Sequence, residues 1–368
     1  MHFHRLSSVN TQREYFGESN LGNEPSMAMF LSTMKACSDV LERTEENDLV
    51  IDNMGIRAYV ADLMGSIIEH DGMLSNYVWR LYEIVHIMYY LGVPLNSTFR
   101  KVILDNLCKC RTYGGYGGGP GLSFLGTSNY AAACILYFFG KSPSILLKRE
   151  FIALMEHLLV EKDDWIAFRT ELNGEYDMRT TYSIIMSAHL FGVMDMLEDT
   201  IDDFYSRLSR FIVLLQRHDG GFAPEIDCEA HAGYTYCAIA LSGLLGRLGH
   251  PVTFNKKAAK RWIMRRQCSL CGGFNGRPQK LPDSCYSYWL GACVQIMDIP
   301  ISVDYQKGFL LLITQQYKGF TDHPPNGIDP YHTFRSLSAL QWYMRTDYRV
   351  DPVLGTTQYF AYKEETVE

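Results

Sequence analysis

Four short segments rich in glycine and aromatic residues, together with a degenerate fifth member, DDWIAFRT, recur about every 50 residues, and they constrain the fold more than any other feature of the chain. Their central aromatic residues are Tyr116, Phe168, Phe222, Phe274 and Phe320, at successive spacings of 52, 54, 52 and 46 residues. A period of this length is typical of repeat architectures, in which each unit buries its apolar face against its neighbours. We therefore expect a fold built from stacked, similar units.

An apolar stretch of helical length follows each of these segments. Each stretch carries a second aromatic residue 14 positions after the first: Tyr130, Tyr182, Tyr236, Tyr288 and Phe334. The stretches are apolar nearly all round, as helices buried on both sides are, and amphipathic stretches such as residues 204–218 separate them. No window alternates with a period of two, so the chain is predicted to be all-α. About six helical hairpins, each with an inner and an outer helix, can close into an α-α barrel (toroid) or remain an open solenoid; polar residues among the apolar inner positions favour the barrel.

The composition excludes several classes of protein. The chain has 368 residues, of which 47% are hydrophobic and 20% are charged, so it is not intrinsically disordered. Its net charge of −7 argues against nucleic acid as the main partner. The start does not resemble a signal peptide and no apolar run reaches membrane-spanning length, so we expect a cytoplasmic protein without membrane insertion. With no linker visible, residues 51–368 are predicted to form one barrel domain and residues 1–50 a peripheral arm.

Residues with metal-ligand chemistry fall at similar positions near the starts of predicted inner helices. Asp283 and Cys285 stand 9 and 11 residues after Phe274, and His332 stands 12 residues after Phe320. A carboxylate, a thiol and an imidazole that leave a fourth position open are typical of catalytic zinc. The helix start is also expected to lower the pKa of Cys285. The alternative is a helix-capping Asp283, a buried Cys285 and a core His332.

Basic and aromatic residues at the same end of the predicted barrel suggest a ligand site. One group could hold a diphosphate through charge-assisted hydrogen bonds, or it could be a solvated basic face; it comprises His231, Arg277, Lys280 and Arg179, with the hydroxyls of Tyr234 and Tyr286. A second group would form apolar walls of a cavity, or simply core; it comprises Trp79, Tyr82, Tyr130, Tyr182, Cys237 and Trp289.

Five motifs together resemble the β-subunits of protein prenyltransferases, in order from about Trp79 to about Tyr343: GGYGGGPG, GEYDMRTTY, EAHAGYTYC, GGFNGRPQKLPDSCYSYW and DPYHT. The resemblance implies an α-α barrel, an obligatory α-subunit and zinc-dependent transfer of an isoprenoid to the cysteine of a C-terminal CaaX motif on small GTPases and other proteins. It also implies roles for individual residues. The implied zinc ligands are Asp283, Cys285 and His332, and the implied diphosphate-binding residues are His231, Arg277, Lys280 and Tyr286, of which Lys280 and Tyr286 also act in catalysis.

Several features of the resemblance favour the farnesyl branch of the family, which uses farnesyl diphosphate. Trp79 stands where farnesyltransferases carry a bulky tryptophan that shortens the isoprenoid pocket, and Asp322 matches a carboxylate associated with magnesium there. The segment NGRPQKLPD is more similar to geranylgeranyl enzymes. The alternatives are therefore a geranylgeranyltransferase β-subunit of type I, or of type II acting on Rab proteins. A terpenoid cyclase would need an acidic DxDD cluster, which the chain lacks, and a helical-repeat scaffold would have no catalysis at all.

The resemblance implies further site residues and shows three departures, one of which is the segment LSFLGTSNY after GGGPG, where farnesyl enzymes usually carry a different peptide-pocket segment. Gly233 and Tyr234 would join the isoprenoid pocket, and the implied peptide-binding residues are Trp79, Glu175, Arg179 and Tyr331. Glu83 stands where the peptide-binding wall usually has a tryptophan, and Arg335 where an aromatic residue is expected beside the isoprenoid. These departures leave open the preferred last CaaX residue and the strictness of the isoprenoid choice.

Overall fold

Helices account for most of the computed structural model of this chain. The structure describes residues 50–69, 75–344, 346 and 349–359, together with the isolated positions 32 and 35. The predicted arm, residues 1–50, lies almost entirely outside the described residues, and the domain limits 51–368 stay a prediction. Among the described residues, no helix is both long and apolar enough to cross a membrane.

The elements follow one another in a regular order. The α-helices are α1 (Asn53–Glu69), α2 (Tyr77–Tyr90), α3 (Ser97–Lys109), α4 (Gly126–Phe138), α5 (Ile145–Leu158), α6 (Met178–Phe191), α7 (Met194–Thr200), α8 (Phe204–Leu214), α9 (Ala232–Arg247), α10 (Lys256–Met264), α11 (Ser284–Met297), α12 (Val303–Gly308) and α13 (Pro330–Tyr343), with a π-helix (Phe309–Thr314) after α12. Three antiparallel hairpins pair β1 (Arg111–Thr112) with β2 (Gly115–Tyr116), β3 (Leu159–Glu161) with β4 (Ile166–Phe168), and β5 (Gln315–Gln316) with β6 (Gly319–Phe320).

Six helices form the inner wall of a closed barrel. In ring order they are α2, α4, α6, α9, α11 and α13; each packs against the next, and α13 packs against α2. Outer helices alternate with them along the chain, and a Gly-aromatic turn precedes each inner helix from α4 onward. The all-α toroid predicted from the 50-residue period is therefore confirmed, and the open solenoid is excluded because the last inner helix meets the first.

One hydrogen bond recurs between the turns and the inner helices. In four of the five repeats the N–H group of the central aromatic residue donates to a side-chain oxygen 13 residues later, over 3.0–3.1 Å. The acceptors are Asn129, Thr181, Thr235 and Thr333. Successive residues of an α-helix project about 100° apart, so the aromatic residue that follows each acceptor faces a different direction. Three of these aromatic residues, Tyr130, Tyr182 and Tyr236, line the central cavity described below, as does Tyr288 at the equivalent position of the repeat without this bond.

The segment 349–359 crosses one end of the barrel. Tyr82 on α2 donates a hydrogen bond to the carbonyl of Gly355 over 2.5 Å, and Tyr130 on α4 donates to that of Leu354 over 2.7 Å. Tyr182 on α6 reaches the carbonyl of Val353 over 3.4 Å. A side chain at Gly355 would place its Cβ atom 2.2 Å from the Tyr130 hydroxyl, so this close approach requires glycine.

Candidate metal centre and adjoining cavity

Asp283, Cys285 and His332 come together at the starts of two neighbouring inner helices. Asp283 caps α11, where its Oδ1 accepts a hydrogen bond from the N–H group of Cys285 over 2.8 Å. His332 lies in the first turn of α13. One ligand atom from each of the three residues lies within 4.8 Å of the other two. Capping and clustering are therefore compatible, although the sequence presented them as alternatives.

A second carboxylate orients the His332 ring. Asp329 caps α13 and is hydrogen bonded to His332 Nδ1, while His332 Nε2 lies 3.4 Å from Asp283 Oδ1. Burial opposes a charged imidazole here, but hydrogen bonds to Asp283 and Asp329 raise the pKa of His332 to about 10. A histidine held by a carboxylate through one ring nitrogen, with the other nitrogen facing the cluster, is typical of metal sites. Asp329 was not among the site residues predicted from the sequence, although an aspartate directly before Pro330 is itself an N-cap signal.

The prediction that the helix start lowers the pKa of the Cys285 thiol is wrong when only the groups of the protein, without a metal ion, surround it. The side chain is 5% exposed, and burial together with the charge of Asp283 raises the pKa of the thiol well above its usual value. The hydrogen bond with Tyr331 and the charge of Arg335 act in the opposite direction but are smaller effects. A thiolate at this position therefore requires a nearby cation. Three ligands of mixed chemistry that leave a position open fit a divalent metal of the catalytic type.

Part of the predicted diphosphate group lies beside this cluster. His231 caps α9 through Nδ1, and its Nε2 lies 3.2 Å from the Tyr286 hydroxyl. Burial, followed by the charge of Arg277, lowers the pKa of His231, and Arg277 itself forms an ion pair with Glu229 over 2.8 Å. The close approach of His231 and Tyr286 depends on Gly276, where a Cβ atom would lie 2.3 Å from the Tyr286 hydroxyl.

The other predicted diphosphate residues are more dispersed. The Tyr234 ring lies 5.8 Å from the His231 ring in an edge-to-face arrangement, so Tyr234 belongs with this group. Lys280 is exposed, and its carbonyl accepts a hydrogen bond from Asn275 over 3.1 Å. Arg179 lines the cavity instead and pairs with Asp177 over 3.0 Å. The structure thus places the side chains of Tyr286 and Tyr234 next to that of His231 and leaves Lys280 at the surface.

A cavity of about 390 Å³ lies inside the ring of inner helices. It is lined by Asn76, Trp79, Arg80, Glu83, Thr127, Tyr130, Arg179, Tyr182, Ser183, Tyr236, Cys237, Tyr288, Trp289, Tyr331 and Arg335. Tyr331 joins the cavity to the metal-ligand cluster, because it is hydrogen bonded to both Cys285 and Trp289 Nε1. Tyr236 and Tyr288 were not assigned to the pocket from the sequence, although their place 14 residues after a central aromatic residue marks them as equivalent to Tyr130 and Tyr182.

Four predicted pocket or peptide residues lie outside this lining. Tyr82 is buried behind Trp79, with ring centroids 5.4 Å apart. Gly233 and Tyr234 lie in the first turn of α9 near His231, and Glu175 is exposed in the turn before α6. The remaining predicted members line the cavity, namely Trp79, Tyr130, Tyr182, Cys237, Trp289, Arg179 and Tyr331.

Asp322 uses both carboxylate oxygens within its own loop. Oδ1 accepts hydrogen bonds from the Thr321 hydroxyl over 2.9 Å and from the His323 N–H group over 2.8 Å. Oδ2 accepts one from Asn326 over 2.9 Å. Its carbonyl accepts a hydrogen bond from Ser284 over 2.9 Å, which holds this loop next to the start of α11. Magnesium binding at Asp322 stays a prediction.

A helical toroid around an aromatic cavity defines a recognisable class of fold. The family described as the prenyltransferase alpha-alpha toroid domain matches residues 57–356. The match covers well over half of the chain, which therefore belongs to this family. The solved structure of Candida albicans protein geranylgeranyltransferase-I complexed with GGPP has the same fold, with a TM-score of 0.64 at 20% identity, over 83% of this chain and 96% of that one.

Curated relatives include both farnesyl and geranylgeranyl enzymes. The chain is 32% identical to protein farnesyltransferase subunit beta of Pisum sativum over 222 residues, 60% of this chain and 50% of that protein. It is 30% identical to the same subunit of Schizosaccharomyces pombe over 278 residues, 71% of this chain and 70% of that protein. It is 28% identical to geranylgeranyl transferase type-1 subunit beta of Arabidopsis thaliana over 222 residues, 58% of this chain and 57% of that protein. The similarity to prenyltransferase β-subunits is confirmed, although the chain spans only 50% of the Pisum sativum subunit and 46% of protein farnesyltransferase subunit beta of Arabidopsis thaliana.

Proposed function

We propose that this chain is the catalytic β-subunit of a zinc-dependent protein prenyltransferase that transfers farnesyl from farnesyl diphosphate to CaaX cysteines. The observation that carries the proposal is the cluster of Asp283, Cys285 and His332, whose ligand atoms lie within 4.8 Å of one another beside an aromatic cavity. A metal site next to an apolar cavity suits a reaction between a thiol and a hydrocarbon chain. Family membership and the farnesyltransferase relatives support the same assignment.

The residues of the chain divide the chemistry among them. Zinc held by Asp283, Cys285 and His332 would supply the positive charge that keeps an acceptor thiol ionised near neutral pH. Asp329 binds His332 Nδ1 and so directs the Nε2 lone pair toward the cluster. The new sulfur–carbon bond forms as the bond between the allylic carbon and the diphosphate oxygen breaks.

Donors beside the cluster would stabilise the leaving group. The Tyr286 hydroxyl, His231 Nε2 and the Arg277 guanidinium can donate hydrogen bonds to diphosphate oxygens while negative charge grows on them. Lys280, which is exposed, would add a further charge from the rim. The aromatic cavity would bury the hydrocarbon at about 25 cal/mol per Å² and hold its reactive carbon in line with the thiolate.

The cavity supports the farnesyl donor, and geranylgeranyl transfer is the second candidate. Trp79 lies in the wall of the cavity with its ring centroid 6.2 Å from that of Tyr130, and its bulk would limit the length available to the isoprenoid. The type-1 geranylgeranyl relatives favour the second candidate. Arg179, Tyr331 and Glu175 would contact the peptide, and an α-subunit, magnesium at Asp322 and a cytoplasmic location are further parts of the proposal.

Co-expression with an α-subunit tests the proposal. The purified complex would be assayed with fifteen- and twenty-carbon diphosphates on a panel of CaaX peptides, and its zinc content would be measured by elemental analysis. We expect about one zinc per complex and faster transfer from the fifteen-carbon donor. Faster transfer from the twenty-carbon donor would favour the geranylgeranyl candidate. A complex with neither zinc nor transfer activity would contradict the proposal and favour a helical-repeat scaffold.

A further inference from the structure

A charged side chain forms part of the aromatic wall of the cavity. Arg335 on α13 is 3% exposed, and its guanidinium carbon lies 4.0 Å from the ring centroid of Trp289 and 4.3 Å from that of Tyr288. The rings of Phe334 and Tyr331 lie 4.7 and 5.4 Å away. Contacts with aromatic faces return only part of the free energy lost when a charge leaves water.

The hydrogen-bonding capacity of Arg335 is incompletely used. A guanidinium has five N–H donors, and the Tyr288 hydroxyl accepts from Arg335. The Nε atom is buried and has no hydrogen-bond partner among the residues that the structure describes. Within the part of the chain that the structure describes, no carboxylate oxygen lies within 4.0 Å of a guanidinium nitrogen of Arg335, so Arg335 forms no ion pair there. A buried cation in this condition would be stabilised by an acceptor that a bound ligand supplies.

The acidic residue of the cavity lining does not neutralise this charge. Glu83 pairs with Arg80 over 2.8 Å. Burial, although opposed by Arg80 and Arg335, raises the pKa of Glu83 to about 7, so the carboxyl is only partly ionised near neutral pH. Arg179, the third arginine of the lining, pairs with Asp177 over 3.0 Å. Among the residues that the structure describes, Arg335 is therefore the arginine of the cavity lining without an ion pair to a carboxylate.

The two substrates of the proposed function differ in what they can offer Arg335. A prenyl chain is a hydrocarbon without hydrogen-bond acceptors, and its diphosphate belongs with His231, Arg277 and Tyr286. Arg335 follows His332 by three residues on the same helix, so it lies about 4.5 Å farther along the helix axis than this metal ligand, away from the helix start. An acceptor peptide whose cysteine reaches the cluster would pass its following residues close to Arg335.

We propose that Arg335 binds an acidic side chain of the acceptor peptide, carried into the cavity by a residue that follows the reactive cysteine. This inference rests on the proposed function, because it takes the peptide as the second substrate. Arg335 then acts as a specificity-determining residue that selects acidic over aliphatic acceptor peptides. A charge-assisted, two-point contact between guanidinium and carboxylate would use the free Nε donor.

Calorimetry with a matched peptide series tests this inference. The zinc-loaded complex with its α-subunit would be titrated with peptides that end in cysteine plus three residues. The second or third residue after the cysteine would be Leu, Gln, Glu or Lys. At one of these positions we expect the Glu peptide to bind at least tenfold more tightly than the Leu peptide, with Lys weakest. Arg335→Met should lower the affinity for the Glu peptide at least tenfold and change that for the Leu peptide less than threefold, whereas Arg335→Lys should retain the preference.

Several outcomes would overturn the inference. They are tighter binding of Leu than Glu at both positions, an unchanged ratio in Arg335→Met, and no binding by any peptide. If Arg335→Met fails to fold, the wild-type ratio and Arg335→Lys still decide. Transfer of farnesyl to any peptide of the series is scored separately. Turnover of Leu peptides alone would retain the proposed function and overturn the inference, while a Glu preference in binding without any turnover would do the reverse.

Discussion

At the scale of single residues, Asp283 combines a structural and a chemical role in one carboxylate. Its Oδ1 accepts the N–H group of Cys285 over 2.8 Å, and the same oxygen lies 3.4 Å from His332 Nε2. The capping bond fixes the carboxylate at the helix start, and the turn that it stabilises presents the Cys285 thiol to the same point. A metal ion at this point would therefore meet ligands that the fold has already positioned.

Removal of the thiol tests this arrangement. We expect Cys285→Ala to lower bound zinc from about one per complex to near zero and activity by at least about a hundredfold, because one of three ligands is lost. Circular dichroism should be unchanged, since the substitution is small. Cys293→Ala is the matched control, because Cys293 is buried on the same helix and lies outside the cluster. Full zinc occupancy in Cys285→Ala would contradict the assignment.

The proposed length limit depends on the Trp79 side chain. Trp79→Thr should move the preference toward the twenty-carbon diphosphate by tenfold or more, because it removes an indole ring from the cavity wall. The measurement is the ratio of kcat/KM for the two donors. Trp79→Phe keeps most of the bulk and should change the ratio much less. An unchanged ratio in Trp79→Thr would refute the role of Trp79 in chain length.

Glu83 predicts a pH dependence of stability. Its pKa is raised from 4.5 to about 7, first by burial, so the folded protein binds more protons than the unfolded chain between these values. Stability should therefore fall as pH rises from 4.5 to 7, by up to about 3 kcal/mol from this group. Glu83→Gln should lack this component. Denaturant unfolding of both proteins across the range measures the difference, and parallel profiles would contradict the prediction.

At the scale of elements, the repeated bond between turn and inner helix holds each hairpin in register. Thr235 Oγ1 accepts the N–H group of Phe222 over 3.0 Å, and both residues are fully buried. Because the bond joins positions 13 residues apart, it fixes the helix start relative to the turn that precedes it. The candidate metal ligands lie at the starts of inner helices, so a shift of a helix relative to its turn would displace them.

Thr235→Val tests the contribution of this bond. The variant keeps the shape of the side chain but removes the acceptor, which should lower the free energy of unfolding by about 1–3 kcal/mol. The equivalent position in the next repeat supplies the control, because the buried Ser287 hydroxyl has no hydrogen-bond partner in the described part of the chain. Ser287→Ala should be nearly neutral. Equal losses in the two variants would show that the bond contributes little.

At the scale of the whole molecule, two long-range contacts complete the barrel. The packing of α13 against α2 closes the ring, and the segment 349–359 then crosses one end of it. Arg247 on α9 pairs with Asp351 over 2.7 Å, which ties the segment to a further inner helix. Buried tyrosine hydroxyls on α2 and α4 depend on carbonyls of this segment for their acceptors.

A truncated chain tests the role of that segment. A protein that ends at Val350 should melt about 5 °C or more below one that ends at Tyr359, because Tyr82 and Tyr130 lose their carbonyl acceptors. The longer chain is the appropriate reference, since it retains every described contact of the segment. Thermal unfolding by circular dichroism gives both Tm values. Equal Tm values would show that the segment does not stabilise the barrel.

The sequence by itself predicted the all-α toroid and brought attention to Asp283, Cys285 and His332. It could do so because a repeat places chemically equivalent positions at equivalent points of every unit, and because burial on both faces leaves a local apolar pattern. The same regularity marked Tyr130 and Tyr182 as residues of one interior surface. The toroid and these site residues could be predicted because they depend on the order of neighbouring residues in the sequence and on the 50-residue period.

Only the tertiary structure decided the contacts between distant elements. It oriented His332 through Asp329, raised the pKa of Cys285 by burial beside Asp283, and moved Tyr82 behind the cavity wall. It also brought Glu83 and Arg335 to a single cavity, although they lie more than 250 residues apart in the chain. Charge, hydrogen bonding and desolvation depend on which groups surround a side chain in space, and closure of the ring determines those neighbours.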